Sequence, residues 1–377
     1  MEALLIILLF YFLLYVVQMS RLAYGLGRVP EFELRDEAPA TTFTIVVPFR
    51  NESRNLPALL ESIAQLDYPR KRFEIILVDD GSQDDGQSLV YRWRMQHGSL
   101  QATLLENIRR SGSPKKDAIS RAIPIATGDW IVTTDADCTV PVNWLRALNQ
   151  FIRSTQSRMV AGPVSFNKVS GLLGNFQGHD LLAMQGATIG GFGIEMPFMC
   201  NGANFAYEKK LFQELGGFTG NDNKPGGDDV FLLHKAVEAD AKVGYLKSRE
   251  ALVQTRTEKS WKRLVNQRIR WGSKTGAYQN DFAEDVALAV FLGNAAIILL
   301  AVLALSQQIH WMFFVGPFGV KFLIDLGIMI GANKLVRQRK WVLPVFSAMV
   351  HPIFTVLVAL LSVRGKYSWK GRKWRSN

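Results

Sequence analysis

Long apolar segments mark both ends of the chain, and the stretch between them alternates between apolar and polar positions. Near the amino end, Ala3 to Met19 form an almost uninterrupted apolar run that approaches the length of a bilayer span. A cleaved signal peptide is the competing interpretation, but the positive charges of Arg21 and Arg28 follow the run, and no small-x-small cleavage site ends it. The pattern therefore favours an uncleaved transmembrane anchor over residues 1–23, with its carboxyl-terminal side in the cytoplasm.

Three apolar segments near the carboxyl end are each long enough to be transmembrane helices. They are Val286 to Leu305, Trp311 to Ile330 and Trp341 to Val363. The loop 333–340 and the tail 364–377 flank the last segment and are both basic, so both should be cytoplasmic. If the last segment crossed the membrane once, the loop and the tail would lie on opposite sides. Because the last segment carries Pro344 and Pro352, we expect a re-entrant hairpin or a segment lying partly in the membrane interface. Residues 286–363 are thus predicted as membrane segments.

Residues 42–280 have the composition of an ordinary soluble domain, and a linker over 24–41 joins it to the anchor. Apolar extended stretches alternate here with stretches of helical spacing. The strand-like stretches are Thr42 to Phe49, Phe73 to Val78, Ala102 to Leu105 and Trp130 to Thr134. The helical ones are Asn55 to Leu66, Asp84 to His97, Pro114 to Ala126 and a helix that opens at Pro141. This alternation predicts an α/β fold with a mostly parallel, doubly wound sheet and a site at the carboxyl ends of its strands.

The chain is basic, with 44 Lys and Arg residues against 33 Asp and Glu residues and a net charge of +11. The charge is dense in an amphipathic basic segment at 256–275, which contains Arg256, Lys259, Lys262, Arg263, Arg268, Arg270 and Lys274. A basic run before a membrane segment is usually a surface for anionic lipid headgroups, although some of these cations could reach a diphosphate. Nucleic acid is not an expected partner, because a membrane-tethered domain gains little from binding it. Two cysteines are too few for a disulfide framework or a structural zinc site, which fits a reducing compartment.

Two carboxylates, Asp135 and Asp137, follow the strand-like run that begins at Trp130. One residue apart on an irregular strand end, they can converge on one hard divalent cation. Such a cation is needed where a protein holds a diphosphate and lets it leave as an anion. A solvated turn is the alternative for an isolated Asp-x-Asp, but further motifs at suitable distances favour the functional interpretation.

Carboxylates also follow the second strand-like stretch, where Asp79 and Asp80 precede Gly81. Asp-Gly is a good turn dipeptide. Alternatively, one of the two aspartates accepts hydrogen bonds from a nucleobase or ribose, as in other nucleotide-binding sheets. The end of the first strand, Pro48 to Glu52 with Arg50, would contribute backbone groups and polar side chains to the same crevice.

A further pair of acids, Asp228 and Asp229, precedes an apolar-rich helical stretch over Val230 to Ala236. Aspartates in a first helical turn are favoured by the helix dipole alone. The alternative is a general base near the cation. Deprotonating an acceptor hydroxyl as it attacks a sugar carbon requires one carboxylate opposite the leaving group.

Together these motifs resemble the family-2 glycosyltransferases, which are inverting enzymes that use nucleotide-sugar donors. The matches are Val78-Asp79-Asp80-Gly81-Ser82, Asp135-Ala136-Asp137, Gly227-Asp228-Asp229 and Gln267-Arg268-Ile269-Arg270-Trp271. The last fits the Gln-x-x-Arg-Trp pattern of the membrane-integrated branch, which is similar to ceramide glucosyltransferases and to cellulose and hyaluronan synthases. The resemblance spans residues 42–275 and implies a GT-A fold, a Rossmann-like sheet domain, flanked by transmembrane helices.

Carried over position by position, the resemblance implies a role for each matched residue. Asp80 would contact a uridine-type base, Asp135 would bind nucleotide or sugar, and Asp137 together with Asp135 would ligate Mg²⁺ or Mn²⁺. Asp229 would be the catalytic base, but the family's usual Glu-Asp pair is Asp228-Asp229 here, so Asp228 stays a second candidate. The other residues expected to bind the nucleotide-sugar are Pro48, Arg50, Glu52, Lys115, Gln267, Arg270 and Trp271, of which the last three would hold the diphosphate and line the acceptor entrance.

The favoured hypothesis is a multi-pass glycosyltransferase of the plasma membrane or cell inner membrane with a cytoplasmic GT-A domain. A nucleotide-sugar, with a UDP-sugar favoured, would donate to a hydroxyl of a membrane lipid or lipid-linked acceptor with inversion. One alternative is a non-catalytic membrane subunit that binds nucleotide-sugars or anionic lipid. Another is a nucleotidyltransferase, which would need neither Gln267 to Trp271 nor membrane helices. A processive polysaccharide synthase is less favoured, because four candidate segments are few for an export channel.

Overall fold

The protein was analysed as a computed structural model that describes residues 1–224, 226–274, 280–338, 344–363, 366–369 and 372–375. Several predicted segments reach beyond these limits. Residue 275 of the basic segment, residues 339–340 of the basic loop, residues 341–343 of the last apolar segment and much of the tail 364–377 lie outside the described residues.

Seven strands form the central sheet of the domain. The strands up to the basic segment are β1 (Phe43–Phe49), β2 (Phe73–Asp79), β3 (Ala102–Glu106), β4 (Trp130–Thr133), β5 (Met159–Ala161), β6 (Val164–Phe166), β7 (Phe205–Glu208), β8 (Val243–Tyr245) and β9 (Val253–Thr255). The sheet order is β3-β2-β1-β4-β7-β5-β8, and β7 runs antiparallel to β4 and β5 while the other pairs are parallel. The prediction of a mostly parallel α/β sheet is confirmed. Strands β6 and β9 pair separately, as do β10 (Lys366–Trp369) and β11 (Arg372–Arg375).

Helices pack on the sheet and extend from both ends of the domain. In chain order they are α1 (Glu2–Arg28), α2 (Leu56–Ala64), α3 (Gly86–Gln96), α4 (Pro114–Ala122), α5 (Trp144–Thr155), α6 (Gly171–Gly193), α7 (Lys209–Glu214), α8 (Val230–Glu238), α9 (Trp261–Gly272), α10 (Asp281–Leu305), α11 (Met312–Val336) and α12 (Pro344–Val363). Short 3₁₀ turns occupy Arg70–Arg72, Ile123–Ile125 and Arg249–Ala251. Helix α4 stops at Ala122, short of the predicted Ala126, because Pro124 cannot donate the next helical hydrogen bond.

The two faces of the sheet are buried against different partners. Along β1, Ile45 and Val47 enter an apolar cluster with α2 and α5. Val46 points the other way, into a cluster that also contains Leu22 of α1 and Val286 of α10. Since neighbouring strand residues face opposite sides, one face of the sheet is continuous with the apolar terminal helices, and this fixes the sheet beside them.

Among the described residues, four helices, α1, α10, α11 and α12, are long and apolar enough to cross a membrane. Helix α1 continues to Arg28, five residues into the predicted linker. The described part of the last segment is one continuous helix, so the re-entrant hairpin considered above is wrong for it. Pro344 is the first described residue of this helix, and Pro352 is accommodated inside it.

Helix α6, 23 residues long, was missed by the sequence reasoning, because its mixture of glycines, apolar and polar residues shows no helical period. It packs against α1 at an unusually short distance. A Cβ on Gly190 would lie 2.2 Å from the carbonyl oxygen of Leu22, and one on Gly193 would lie 1.9 Å from that of Gly25. Glycines at these positions allow the two backbones to touch, as small residues do between membrane helices.

Candidate active site

A cleft of about 690 Å³ opens at the carboxyl ends of the strands, where open α/β sheets bind their ligands. We call it the donor cleft. Three strand ends and helix α9 line it. The predicted residues in its wall are Pro48, Arg50, Glu52, Asp80, Lys115, Asp135, Asp137, Gln267 and Arg270.

Asp80 is buried at the floor of the donor cleft and is held by two side chains from the loop after β3. Its Oδ1 accepts hydrogen bonds from Asn107 Nδ2 at 2.9 Å and from Arg109 Nε at 2.9 Å. Arg50 Nη1 donates to the carbonyl oxygens of Asp80 and Gly81 at 2.6 and 2.7 Å. These contacts fix the carboxylate of Asp80 at the cleft edge, and Asn107 and Arg109 had no signal in the sequence.

Unlike the carboxylate of Asp80, that of Asp79 is bound within the turn that follows β2. Its carboxylate accepts the backbone N–H of Ser82 at 3.0 Å and also contacts the Ser82 hydroxyl and the Gln87 amide. Gly81 at the centre of this turn has a φ of +71°, a conformation that favours glycine. The turn interpretation therefore holds for Asp79, whereas Asp80 lines the cleft and its contact with a ligand stays a prediction.

A second space of about 230 Å³ continues from the donor cleft towards the apolar helices. We call it the inner cavity. The two spaces share Pro114, Lys115, Asp135, Asp137, Gln267 and Arg270. Asp228, Asp229, Trp271 and Lys274 line the inner cavity alone. Motifs that lie far apart in the sequence thus meet at one junction, with the Asp-x-Asp pair between the two spaces.

Lys115 links the acidic motifs at this junction. Its Nζ lies 2.7 Å from Asp135 Oδ1 and 3.0 Å from Asp228 Oδ2. Burial by itself would lower the pKa of Lys115, but the charges of Asp135, Asp228 and Asp229 outweigh it and raise that pKa. Lys115 is therefore a fixed cation, and in this structure it neutralises carboxylates, whereas the resemblance implied contact with the donor.

Asp229 forms the N-cap of α8. Its Oδ1 accepts the N–H of Val230 and its Oδ2 accepts the N–H of Gly202, both at 2.8 Å. A Cβ on Gly202 would lie 3.0 Å from Asp228 Oδ2 and 3.3 Å from Asp229 Oδ2. The absence of a side chain at Gly202 is what lets this backbone segment approach both carboxylates.

The two adjacent acids differ in their surroundings. Asp228 is 7% exposed and is paired with Lys115. Burial raises its pKa, but the charges of Lys115 and Lys274 outweigh that effect and hold the pKa of Asp228 below its usual value. Asp229 is half-buried, lines the inner cavity and is oriented by backbone groups. The ion pair with Lys115 thus holds Asp228 in its charged form.

The Gln-x-x-Arg-Trp motif lies on α9 and is attached to α6 through Arg268. Arg268 is buried, and its Nε and Nη2 donate to Asp180 Oδ2 of α6 at 2.9 and 2.7 Å. Its Nη1 donates to Gln267 Oε1 at 2.5 Å, and its guanidinium lies 4.1 Å from the centre of the Trp271 ring. Arg268 therefore fixes the side chains of Gln267 and Trp271, although it occupies a position at which the motif accepts any residue.

The carboxylate oxygens at the junction suit a hard divalent cation whose remaining ligands come from a bound diphosphate. Within the described residues, no group of three or more His, Cys, Asp and Glu side chains has the geometry to hold a metal by itself. Asp135 and Asp137 both line the cleft, and Mg²⁺-type sites commonly combine one or two carboxylates with substrate phosphates and water. The residues present therefore fit Mg²⁺ or Mn²⁺ bound together with a nucleotide-sugar.

Comparison with known proteins agrees with this geometry. Residues 44–216 match the family model described as Glycosyl transferase family 2. This part of the chain is therefore similar to a family-2 glycosyltransferase domain. The match includes Asp80, Asp135 and Asp137, whereas the acids at the start of α8 and the motif on α9 lie beyond it.

Curated relatives match at low to moderate identity. The probable glycosyltransferase YdaM of Bacillus subtilis (strain 168) is 23% identical over 330 residues, which are 84% of this chain and 74% of that protein. The undecaprenyl-phosphate 4-deoxy-4-formamido-L-arabinose transferase of Serratia proteamaculans (strain 568) is 37% identical over 107 residues, 27% of this chain and 31% of that protein. Several other relatives are likewise matched over less than half of their length.

Among solved structures, the mannosyltransferase PcManGT from Pyrobaculum calidifontis, in complex with GDP-Man and Mn²⁺, superposes with a TM-score of 0.64. The sequences are 21% identical, and the superposition covers 90% of this chain and 99% of that one. The similarity establishes a GT-A-like fold.

Proposed function

We propose that the protein is a membrane glycosyltransferase that moves one sugar from a nucleotide-diphosphate sugar to the hydroxyl group of a lipid acceptor, with inversion. One observation carries the proposal. The donor cleft and the inner cavity meet at Asp135, Asp137 and Lys115, and the acceptor-side acid Asp229 lines only the inner cavity. Donor and acceptor thus have separate approaches to one reacting carbon.

Donor binding is assigned to the strand ends and to α9. Asp80, fixed by Asn107 and Arg109, accepts hydrogen bonds from the base, and a uracil base is favoured. Gln267 and Arg270 reach the diphosphate from the opposite wall of the cleft. Asp135 and Asp137 would hold Mg²⁺ or Mn²⁺, which neutralises charge on the leaving diphosphate when bound.

Transfer is assigned to Asp229. Its carboxylate takes the proton of the acceptor hydroxyl while the acceptor oxygen bonds to the anomeric carbon. The bond from that carbon to the diphosphate breaks, and the nucleotide leaves with the electron pair. One base carboxylate without a second carboxylate acting as nucleophile is consistent with a single displacement, which inverts the anomeric centre. Positioning of the two substrates supplies much of the remaining acceleration.

Two observations support a lipid acceptor. Apolar helices lie beside the inner cavity, and the Serratia relative is named as an undecaprenyl-phosphate transferase, in which undecaprenyl phosphate is a lipid phosphate. The deciding experiment incubates the purified full chain and Mn²⁺ with a panel of nucleotide-sugars, with and without a membrane lipid extract. Nucleotide release from one donor that the extract stimulates, with the sugar recovered in the organic phase, supports the proposal. Absence of release from every donor would favour the non-catalytic subunit.

Helix α12 is assigned to the membrane interface, because its second half runs beside the amphipathic helix α9. Phe354 packs on Trp261 near the start of α9, and a Cβ on Gly272 at the end of α9 would lie 2.6 Å from Ser362 Oγ. An interfacial α12 leaves both flanking basic segments on the cytoplasmic side.

Cysteine labelling tests this placement of α12. We expect Arg337→Cys, at the end of α11 and before α12, and Val363→Cys, the last residue of α12, to react with an impermeant maleimide from the cytoplasmic face of oriented vesicles. The control Ser306→Cys, in the loop after α10, should react from the other face. The native Cys138 and Cys200 are buried and give little background. Labelling of Arg337→Cys and Val363→Cys from opposite faces would show that α12 crosses the membrane.

Trp271→Ala should raise the KM for the lipid acceptor more than it weakens donor binding. Trp271 lines the inner cavity but not the donor cleft, and an indole suits a polar–apolar boundary that an incoming lipid must pass. The matched control is Trp261→Ala on the same helix, because Trp261 packs on Phe176 and Phe354 and lines neither space. If Trp271→Ala leaves the acceptor kinetics unchanged while the protein inserts normally, Trp271 is merely an anchor.

A further inference from the structure

A third space, of about 270 Å³, lies among the apolar helices. We call it the chain cavity. Its walls come from α1, α6, α10, α11 and α12, and they include Met19, Ala187, Val286, Ile328 and Ala348. Protein interiors are close-packed, and an unfilled space deprives its lining atoms of contacts on one side. A persistent apolar space of this kind is suited to an apolar ligand.

The chain cavity adjoins the catalytic site. Met184 of α6 and Met199, which follows α6, line both the chain cavity and the inner cavity. Both side chains are half-buried, and methionine is flexible enough to reshape around a ligand. A molecule in the chain cavity therefore has a route past two thioethers to the space that contains Asp229.

The ionic groups in the wall of the chain cavity are engaged with protein partners. Asp180 accepts from Arg268 at 2.7 Å, and Asp325 accepts from Lys321 Nζ at 2.5 Å. His179 Nδ1 lies 2.7 Å from the hydroxyl oxygen of Ser347. His351, which also lines the cavity, has its Nε2 3.7 Å from Asp180 Oδ1. Because each of these polar groups has a protein partner, the wall offers mainly carbon to a ligand. The part of the ligand that fits here is an uncharged hydrocarbon chain.

We propose that the chain cavity holds the hydrocarbon chain of the acceptor lipid while its hydroxyl end passes Met184 and Met199 and reaches Asp229. The inference rests on the proposed function and adds to it the location of the acceptor's hydrocarbon chain. The inner cavity supplies a polar environment for the hydroxyl end of the lipid, because Lys274 and Asp229 lie in its wall. Burial lowers the pKa of Lys274, so hydration of this ammonium is already reduced.

Filling the chain cavity tests the proposal with matched neighbours as controls. Ala287→Phe on α10 and Ala348→Phe on α12 each place a ring in the cavity. Leu288→Phe and Met349→Phe, one residue further along the same helices, place it on the outer surface, where the native residues are 56% and 62% exposed. A melting curve of each variant in detergent establishes that it is folded.

The first readout is cross-linking by a hexadecanol that carries a photoreactive diazirine in mid-chain, added to the full chain in phosphatidylcholine nanodiscs. Label should appear on the α6 peptide containing Ala183 and Met184. Ala287→Phe and Ala348→Phe should reduce that label by about tenfold, because excluding about two methylenes from an apolar site weakens binding by that factor. The outer-surface variants should label like the wild type. Equal labelling of α6 in all four variants would overturn the proposal.

The second readout separates this inference from the proposed function. In the presence of donor and lipid extract, the two filled variants should lose lipid-stimulated transfer but keep whatever nucleotide release the wild type shows without the extract. Lipid-stimulated transfer at the wild-type rate in both filled variants counts against the chain cavity and leaves the transferase assignment standing. If the wild type releases no nucleotide from any donor, the transferase assignment fails, and the cross-linking result still decides whether the cavity binds a chain.

Discussion

Asp229→Asn is expected to lower the rate of sugar transfer by about 10² to 10⁴-fold while leaving donor affinity near the wild-type value. The amide is nearly the same size as the carboxylate but cannot accept the acceptor proton at neutral pH. Its Oδ1 can still accept one of the two backbone N–H groups, from Val230 or Gly202, that now bind the carboxylate. The change therefore removes the base with a small effect on the helix cap.

Two measurements separate the loss of a base from a loss of structure. Donor affinity, by calorimetry with a non-hydrolysable nucleotide-sugar analogue, should be retained. The acidic limb of the pH–rate profile, where the base becomes protonated, should disappear in Asp229→Asn. The control is Asp228→Asn, which removes the partner of Lys115 at 3.0 Å and should retain that limb. If Asp228→Asn loses the limb and Asp229→Asn keeps it, the base has been assigned to the wrong residue.

Four of the seven strands of the central sheet, β1 to β4, could be predicted from sequence because each is an extended apolar stretch with a clear end, whereas β5, β7 and β8 were missed. β1, β2 and β4 are buried on both faces, and continuous apolar runs are typical of such strands. The antiparallel β7 has only four residues and gives no comparable signal. Helix α6 was missed because its surface is shared among the sheet, α1, α11 and α12, and a helix buried on several sides loses the one-sided periodicity on which prediction depends.

The lining of the site could be predicted to a large extent, but not the contacts that organise it. Each residue expected at the site lines the donor cleft or the inner cavity. The groups that hold them, Arg109 under Asp80 and Asp180 under Arg268, act over sequence separations of 29 and 88 residues. Such partners depend on how the chain packs in three dimensions, and no local spacing indicates them.

Lys115 shows how a motif match can give the right location and an incomplete role. In this structure its ammonium bridges Asp135 and Asp228. A divalent cation that binds Asp135 competes with this ammonium for the same carboxylate, so metal binding would free Lys115 to contact the sugar or the diphosphate. The donor contact implied by the resemblance stays a prediction, and the observed ion pair does not contradict it.

Asp137→Ala is expected to abolish measurable transfer, with a loss of roughly 10³-fold, since a Lewis acid contributes several kcal/mol to the departure of a charged leaving group. Asp137 is half-buried in the turn after β4 and outside the apolar clusters of the core, so the fold should persist. The matched control is Asp129→Ala at the other end of the same strand, where the carboxylate is exposed and accepts from the Thr42 hydroxyl at 2.7 Å.

Metal removal and metal binding are two independent tests of whether Asp137 is a metal ligand. EDTA should abolish transfer by the wild type, and added Mn²⁺ or Mg²⁺ should restore it. In the presence of UDP, binding of Mn²⁺ followed by electron paramagnetic resonance should be tight for the wild type and for Asp129→Ala, and much weaker for Asp137→Ala. The charge-matched change Asp137→Glu keeps a carboxylate and should recover part of the Mn²⁺ affinity, which loss of structure would not do. Full activity in EDTA, or substantial turnover by a folded Asp137→Ala protein, would show that this carboxylate does not serve a metal.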